Sequence, residues 1–264
     1  MLNYIQADLY RLFHKKSNYI FYGVLFAAFI ALVTWTYTAF EQGEGFTNGF
    51  VELAGILLTQ LFPLVFGVQA YSTVFLNDVS SNSYQNIFSS GLSKVEFVLS
   101  KLMIMFTYML ITFLSGIVVY LGFYGVLLLL EGGEIYYEGF QKVAVMTFNV
   151  FLGLIGYAMV ASVVAFFTQN TTISLITFVA LISNMVLTIL NLASLATDKL
   201  EFLREYTLSY HLSESNNTLF TQLLVPDSGF TMPFETWGVT LIYIVVASVL
   251  GILVLNKVEI KEGK

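Results

Sequence analysis

The chain has 264 residues, 57% hydrophobic and only 11% charged, with a formal net charge of −6 and no cysteine. A soluble domain of this size carries about 25% charged residues, so the composition is that of an integral membrane protein. It excludes disulfides, thiolate metal sites and cysteine nucleophiles, and it offers no basic patch of the nucleic-acid-binding type.

Residues 1–18 read as an amphipathic helix lying on the membrane. Leu2, Ile5, Leu9 and Leu12 share one face at helical spacing, and Asp8, Arg11 and Lys15 share another. The apolar run that follows is too long for a signal-peptide core and has no small-x-small cleavage site, so it reads as an anchor. A bilayer crossing needs about 20 apolar residues. By that measure six runs qualify, over residues 19–40, 53–76, 102–130, 143–167, 173–196 and 237–255. The expected fold is all-α and integral to the membrane, a single transmembrane domain with six helices and an amino-terminal interfacial helix.

Lys and Arg set the expected orientation. Arg11, Lys15, Lys16, Lys94, Lys101, Lys257, Lys261 and Lys264 fall on one side, and Lys142, Lys199 and Arg204 on the other. The second side also holds most of the acids, including Glu41, Glu44, Glu131, Glu134 and Glu138. Both termini and the loop 77–101 are therefore expected in the cytoplasm. The segment 197–236 is then an outer loop. Its leucines and phenylalanines predict one or two short helices, broken near Pro226-Asp227-Ser228-Gly229.

The loop 77–101 carries specific punctuation. Gly91 can close a short helix. Ser93 and Glu96 form a capping box, with Ser93 as N-cap of a second helix that continues into the next run. Such a loop is either a connector or a docking surface for a soluble partner.

None of the six apolar interiors holds an Asp, Glu, Lys, Arg or His. That weighs against ion-coupled carriers, pumps and membrane proteases. His14 and His211 fall on opposite sides, so no metal site and no catalytic group is expected. The fifth run carries a polar stripe of Asn170, Ser174, Thr177, Asn184, Thr188 and Asn191, at spacings that share one helical face. It can serve as hydrogen-bonded packing between helices or line a path for an amphipathic solute. The second run holds Thr59, Gln60, Pro63 and Gly67, where proline permits a static kink or a hinge. Gly23, Ala27 and Ala31, and likewise Ala247 and Gly251, are spaced for close helix packing. No phosphate-binding Gly-x-x-x-x-Gly-Lys-Ser/Thr loop is present.

Two motifs carry a family resemblance. One is Ala7-Asp8-Leu9-Tyr10-Arg11-Leu12-Phe13, before the first apolar run. The other is Phe88-Ser89-Ser90-Gly91-Leu92-Ser93-Lys94, followed by Ser100-Lys101. With these, the whole chain resembles a permease subunit of the ABC type-2 exporters, closest to small bacterial permeases of peptide export or antimicrobial self-protection. Lys94 stands where that family commonly has Arg, and Asn82-Ser83 where Gly-Thr is frequent.

The resemblance implies a coupling helix in the first cytoplasmic loop, with Tyr84, Ile87, Phe88, Ser90, Gly91, Leu92, Ser93, Lys94 and Glu96 contacting an ATPase. It implies a multi-pass protein of the bacterial cell membrane, paired with a second permease subunit and a separate cytoplasmic ABC ATPase. ATP and Mg would bind that partner, and no cofactor would bind this chain. Combined with the polar positions, it suggests a translocation path along Thr59, Gln60, Thr177, Asn184, Thr188 and Asn191. The expected role is export of an amphipathic peptide, antimicrobial or drug-like solute, with no bond chemistry of its own. The rivals are a six-span sensor or assembly subunit that transports nothing, and a vitamin-binding subunit of an importer.

Overall fold

The computed structural model describes residues 1–39, 49, 52–77, 87–131, 137–195, 201–224 and 231–262, and every regular element among them is helical. The elements are α1 (Leu2–Phe13), α2 (Lys16–Ala39), α3 (52–77), α4 (Lys94–Glu131), α5 (Tyr137–Thr168), α6 (Thr171–Ile182), α7 (Met185–Ser194), α8 (Glu201–Glu205), α9 (Leu208–Leu224) and α10 (Phe234–Glu262).

The bundle is built around α5. Nearly every side chain from Met146 to Phe166 is buried, and α6, α9 and α10 pack on it. Its composition explains the position. A helix apolar on all sides belongs inside a bundle, and glycines let neighbours come close. A Cβ at Gly153 would stand 2.9 Å from Leu212 of α9, and one at Gly156 would stand 3.0 Å from Leu208. The opposite pattern holds on α4, α7 and α10. There Leu114, Val118, Leu192, Ile242 and Val245 are exposed, as lipid-facing residues are.

The expected count of six crossings is corrected. Among the described residues three helices are long and apolar enough to span a bilayer: Lys94–Val126, Tyr137–Thr168 and Phe234–Lys257. A fourth is reached if Thr171–Ile182 and Met185–Ser194, bent by 66°, act as one. The runs 19–40 and 53–76 yield the shorter apolar helices Lys16–Ala31 and Pro63–Leu76. Neither stretch alone reaches the roughly 20 apolar residues of a crossing, although α2 as a helix continues to Ala39. Counting apolar residues takes no account of interruptions such as the wide turns of α3 and the bend between α6 and α7.

The break in α3 has a local cause. Pro63 cannot donate to the preceding turn, and the helix opens there into wide π-type turns over Leu57–Leu61, Pro63–Gly67 and Ser72–Leu76. Phe62 N–H accordingly reaches the carbonyl of Leu57, five residues back. Gly67 lets its neighbours come close. A Cβ there would meet Leu154 of α5 at 2.8 Å and Ile182 of α6 at 3.5 Å. Gly67→Val is expected to destabilise the fold by about 1–3 kcal/mol through overpacking, seen as a lower thermal midpoint in detergent.

The small residues divide. Ala247 and Gly251 of α10 are buried, Gly251 against Phe166, whereas a Cβ on Gly23 of α2 would meet nothing within 4 Å. Hydroxyls also join the helices. Tyr22 of α2 donates to Tyr108 of α4 at 2.6 Å, and Tyr71 of α3 bonds Ser174 of α6.

Candidate functional site

The two motifs singled out in the sequence meet at one end of the bundle. α1 packs on α4, with Ile5 and Leu9 against the main core as their spacing suggests. Leu12 is buried, but Leu2 is exposed, and Asp8, expected on the polar face, is turned inward. The reason is Lys101. Its Nζ lies 2.7 Å from Asp8 Oδ2 and donates to the Val74 carbonyl at 3.0 Å, with the side chain only 1% exposed. Arg11, one helical turn along from Asp8, pairs with the other carboxylate oxygen from the solvent side. The ammonium also sits 5.5 Å from the Tyr4 ring centre and 5.9 Å from that of Phe97. One buried ion pair therefore ties α1, the end of α3 and the start of α4.

The start of α4 is built as its local sequence requires. Ser93 N–H donates to Glu96 Oε2 at 3.0 Å, and Glu96 N–H donates back to Ser93 Oγ at 3.2 Å. This is a complete capping box. The turn before it closes through Ser90 N–H to Ile87 O and Gly91 N–H to Phe88 O. Gly91 has φ +94°, a conformation open to glycine and strained for other residues, although nothing lies within 4 Å of where its Cβ would be. Ile87, Phe88 and Leu92 pack under the turn against the main core, and Phe88 meets the Phe97 ring edge-on at 5.3 Å. Ser93 and Gly91 stay exposed on the outer side, Lys94 half-exposed beside them. Tyr84 lies outside the described residues. Ser93→Ala is expected to weaken the helix start by about 1 kcal/mol, read as faster hydrogen exchange at the Glu96 amide with α5 unchanged.

The polar stripe is not one straight face. Ser183 and Asn184 interrupt it, Asn184 in a left-handed conformation at φ +54°, and the helix turns by 66° there. Asn is among the few residues that tolerate that conformation. Asn170 caps α6, accepting from Thr172 and Ile173 N–H. Ser174 is buried and donates to the Ala161 carbonyl. Thr177 and Thr188 each donate to a carbonyl four residues back in the chain.

Asn191 alone of the stripe opens on a polar cleft of about 610 Å³, shared with Arg204, Tyr210, Glu214, Asn217 and Gln222. There the Arg204 guanidinium lies 5.3 Å from the Tyr210 ring centre, and the Glu214 carboxylate pushes the Tyr210 hydroxyl above its ordinary value. Thr59 and Gln60 are on α3, where Thr59 Oγ1 donates to the Gly55 carbonyl. Their neighbours Leu57 and Leu61 line a separate apolar cavity that shares no wall residue with the polar cleft.

Sequence reasoning missed a second polar knot, at the far end of α5. Asn149 is fully buried. Its Nδ2 donates to Asn216 Oδ1 at 2.8 Å, and its Oδ1 accepts from Trp237 Nε1 at 3.2 Å. Lys142, 1% exposed, pairs with Glu138 at 2.8 Å and donates to the Gln222 carbonyl. These bonds fasten α9, in the segment 197–236, onto α5 and α10. The available signal was a lone amide and a lone lysine at the edge of an apolar run.

The described helices and their apolar exteriors define an all-α membrane protein with three to four helices able to cross a bilayer. The chain matches no model of a known protein family, and a search of curated proteins finds no similar one.

Proposed function

We propose that the chain is the membrane-embedded permease subunit of an ATP-binding-cassette exporter. In this reading a separate cytoplasmic ATPase docks on the exposed turn at 87–96 and a second permease subunit completes the pathway. The solute is an amphipathic peptide, an antimicrobial or a drug-like molecule. The observation that carries the reading is the construction of that turn. It is exposed on its outer side, shaped by a glycine at positive φ, capped into α4, and fixed by Lys101 to α1 and α3. A push on such a turn moves three helices together, whereas a plain connector has no need of this bracing. The wide turns of α3 and the bend at Asn184 are the places where helices can yield.

Purification from the native membrane in mild detergent is expected to retain an ATPase subunit, and Gly91→Val is expected to abolish export while leaving membrane insertion intact. Purification without an ATPase, or unchanged export in that variant, would overturn the assignment.

A further inference from the structure

A cavity of about 640 Å³ lies between α2, α3, α4 and α5, and it is separate from the polar cleft and from the turn at 87–96. Phe29, Phe62 and Phe113 form its apolar walls, and Tyr124, which meets Phe140, lies towards the same end as Tyr137. Two glycines of α4, Gly116 and Gly125, face open space, since a Cβ on either would meet no atom within 4 Å.

The shape narrows the choice of occupant. Along α4 the lining runs from Phe113 to Gly125, a rise of about 18 Å at 1.5 Å per residue. One leaflet of a bilayer has a hydrocarbon depth of about 15 Å, half the core thickness. The slot is thus one acyl chain long. A wall of this composition gives water too few polar partners, which favours an apolar occupant. Tyr137 is largely exposed at the start of α5, at the same end of the slot as Tyr124. Tyrosine is the residue that favours the level of lipid headgroups.

We infer that this cavity binds one acyl chain of a bilayer phospholipid, with the headgroup at the level of Tyr137. The lipid is then a structural ligand that fills the space between α2 and the α4–α5 pair, independent of any exported solute.

The test is electron paramagnetic resonance on the purified full chain in phosphatidylcholine nanodiscs, doped with phosphatidylcholine spin-labelled midway along one acyl chain. The wild type is expected to show an immobilised component of about one lipid per chain, displaced by excess unlabelled phosphatidylcholine. The double variant Gly116→Leu/Gly125→Leu fills the slot and is expected to lose that component. Gly122→Leu is the control, on the same helix, equally open and outside the lining. Absence of the component in the wild type overturns the proposal, as does equal intensity in the filled variant and the control. Displacement by a compact apolar molecule but not by phosphatidylcholine would assign the cavity to that molecule and overturn the lipid reading. The competition arm uses only the wild type, so the outcome does not depend on how well the filled variant folds.

Discussion

Asp8→Ala is expected to cost about 3–5 kcal/mol of stability, the range for removing one partner of a buried ion pair. Lys101 is 1% exposed, and the substitution strips its ammonium of the carboxylate 2.7 Å away while leaving the charge buried. Lys101→Met should cost less, because Asp8 keeps Arg11 on its solvent side. The double variant Asp8→Ala/Lys101→Met should recover much of the loss, since it buries neither charge. Thermal unfolding of the four proteins in one detergent closes the cycle. Equal, additive losses would show that the pair contributes no coupling and that α1 is held by Leu12 and its neighbours instead.

Asn149→Leu is expected to be nearly as damaging, and at the opposite end of the molecule. It removes a buried amide that satisfies both Asn216 and Trp237. Both partners are half-buried, so each left unpaired costs at most about 1–3 kcal/mol. The added apolar volume does not offset this, because α5 is already tightly packed against Leu208 and Leu212. The loss should be regional. Hydrogen exchange in α9 is expected to accelerate and Trp237 fluorescence to shift, with the capping box at Ser93 and Glu96 unaffected. Uniform acceleration through α1 and α4 would contradict this separation of the two ends.

What could be read in the chain beforehand was what is decided locally. The capping box and the turn at Gly91 lie within a few residues of one another, and they stand in the structure as their residue types require. The helical character of the long apolar runs was equally legible, because composition alone forces it. The number of crossings was not, because it depends on interruptions. Pro63 marks one of them, but a single Asn at position 184 gives no sequence signal of a 66° bend. Bringing together Tyr71, Ser174 and Phe178, which help set where α6 lies, is tertiary. Asp8 and Lys101 were each conspicuous, yet periodicity placed Asp8 outward. Only its partner, 93 positions away, turns it in. Asn149 was invisible for the same reason, since its partners stand 67 and 88 positions on.

That separation of 93 positions also fixes an order of events in biosynthesis. At translation speeds of about 5–20 residues per second, α1 leaves the ribosome on the order of ten seconds before Lys101 exists. Through that interval Asp8 has a partner one helical turn away, Arg11, which neutralises it without burial. The amino-terminal helix therefore waits at the surface as a locally paired, amphipathic segment and docks only when the start of α4 arrives. The clasp that braces the turn at 87–96 cannot close before the start of α4 is made, so nascent chains pass through a stage in which α1 is not yet fastened.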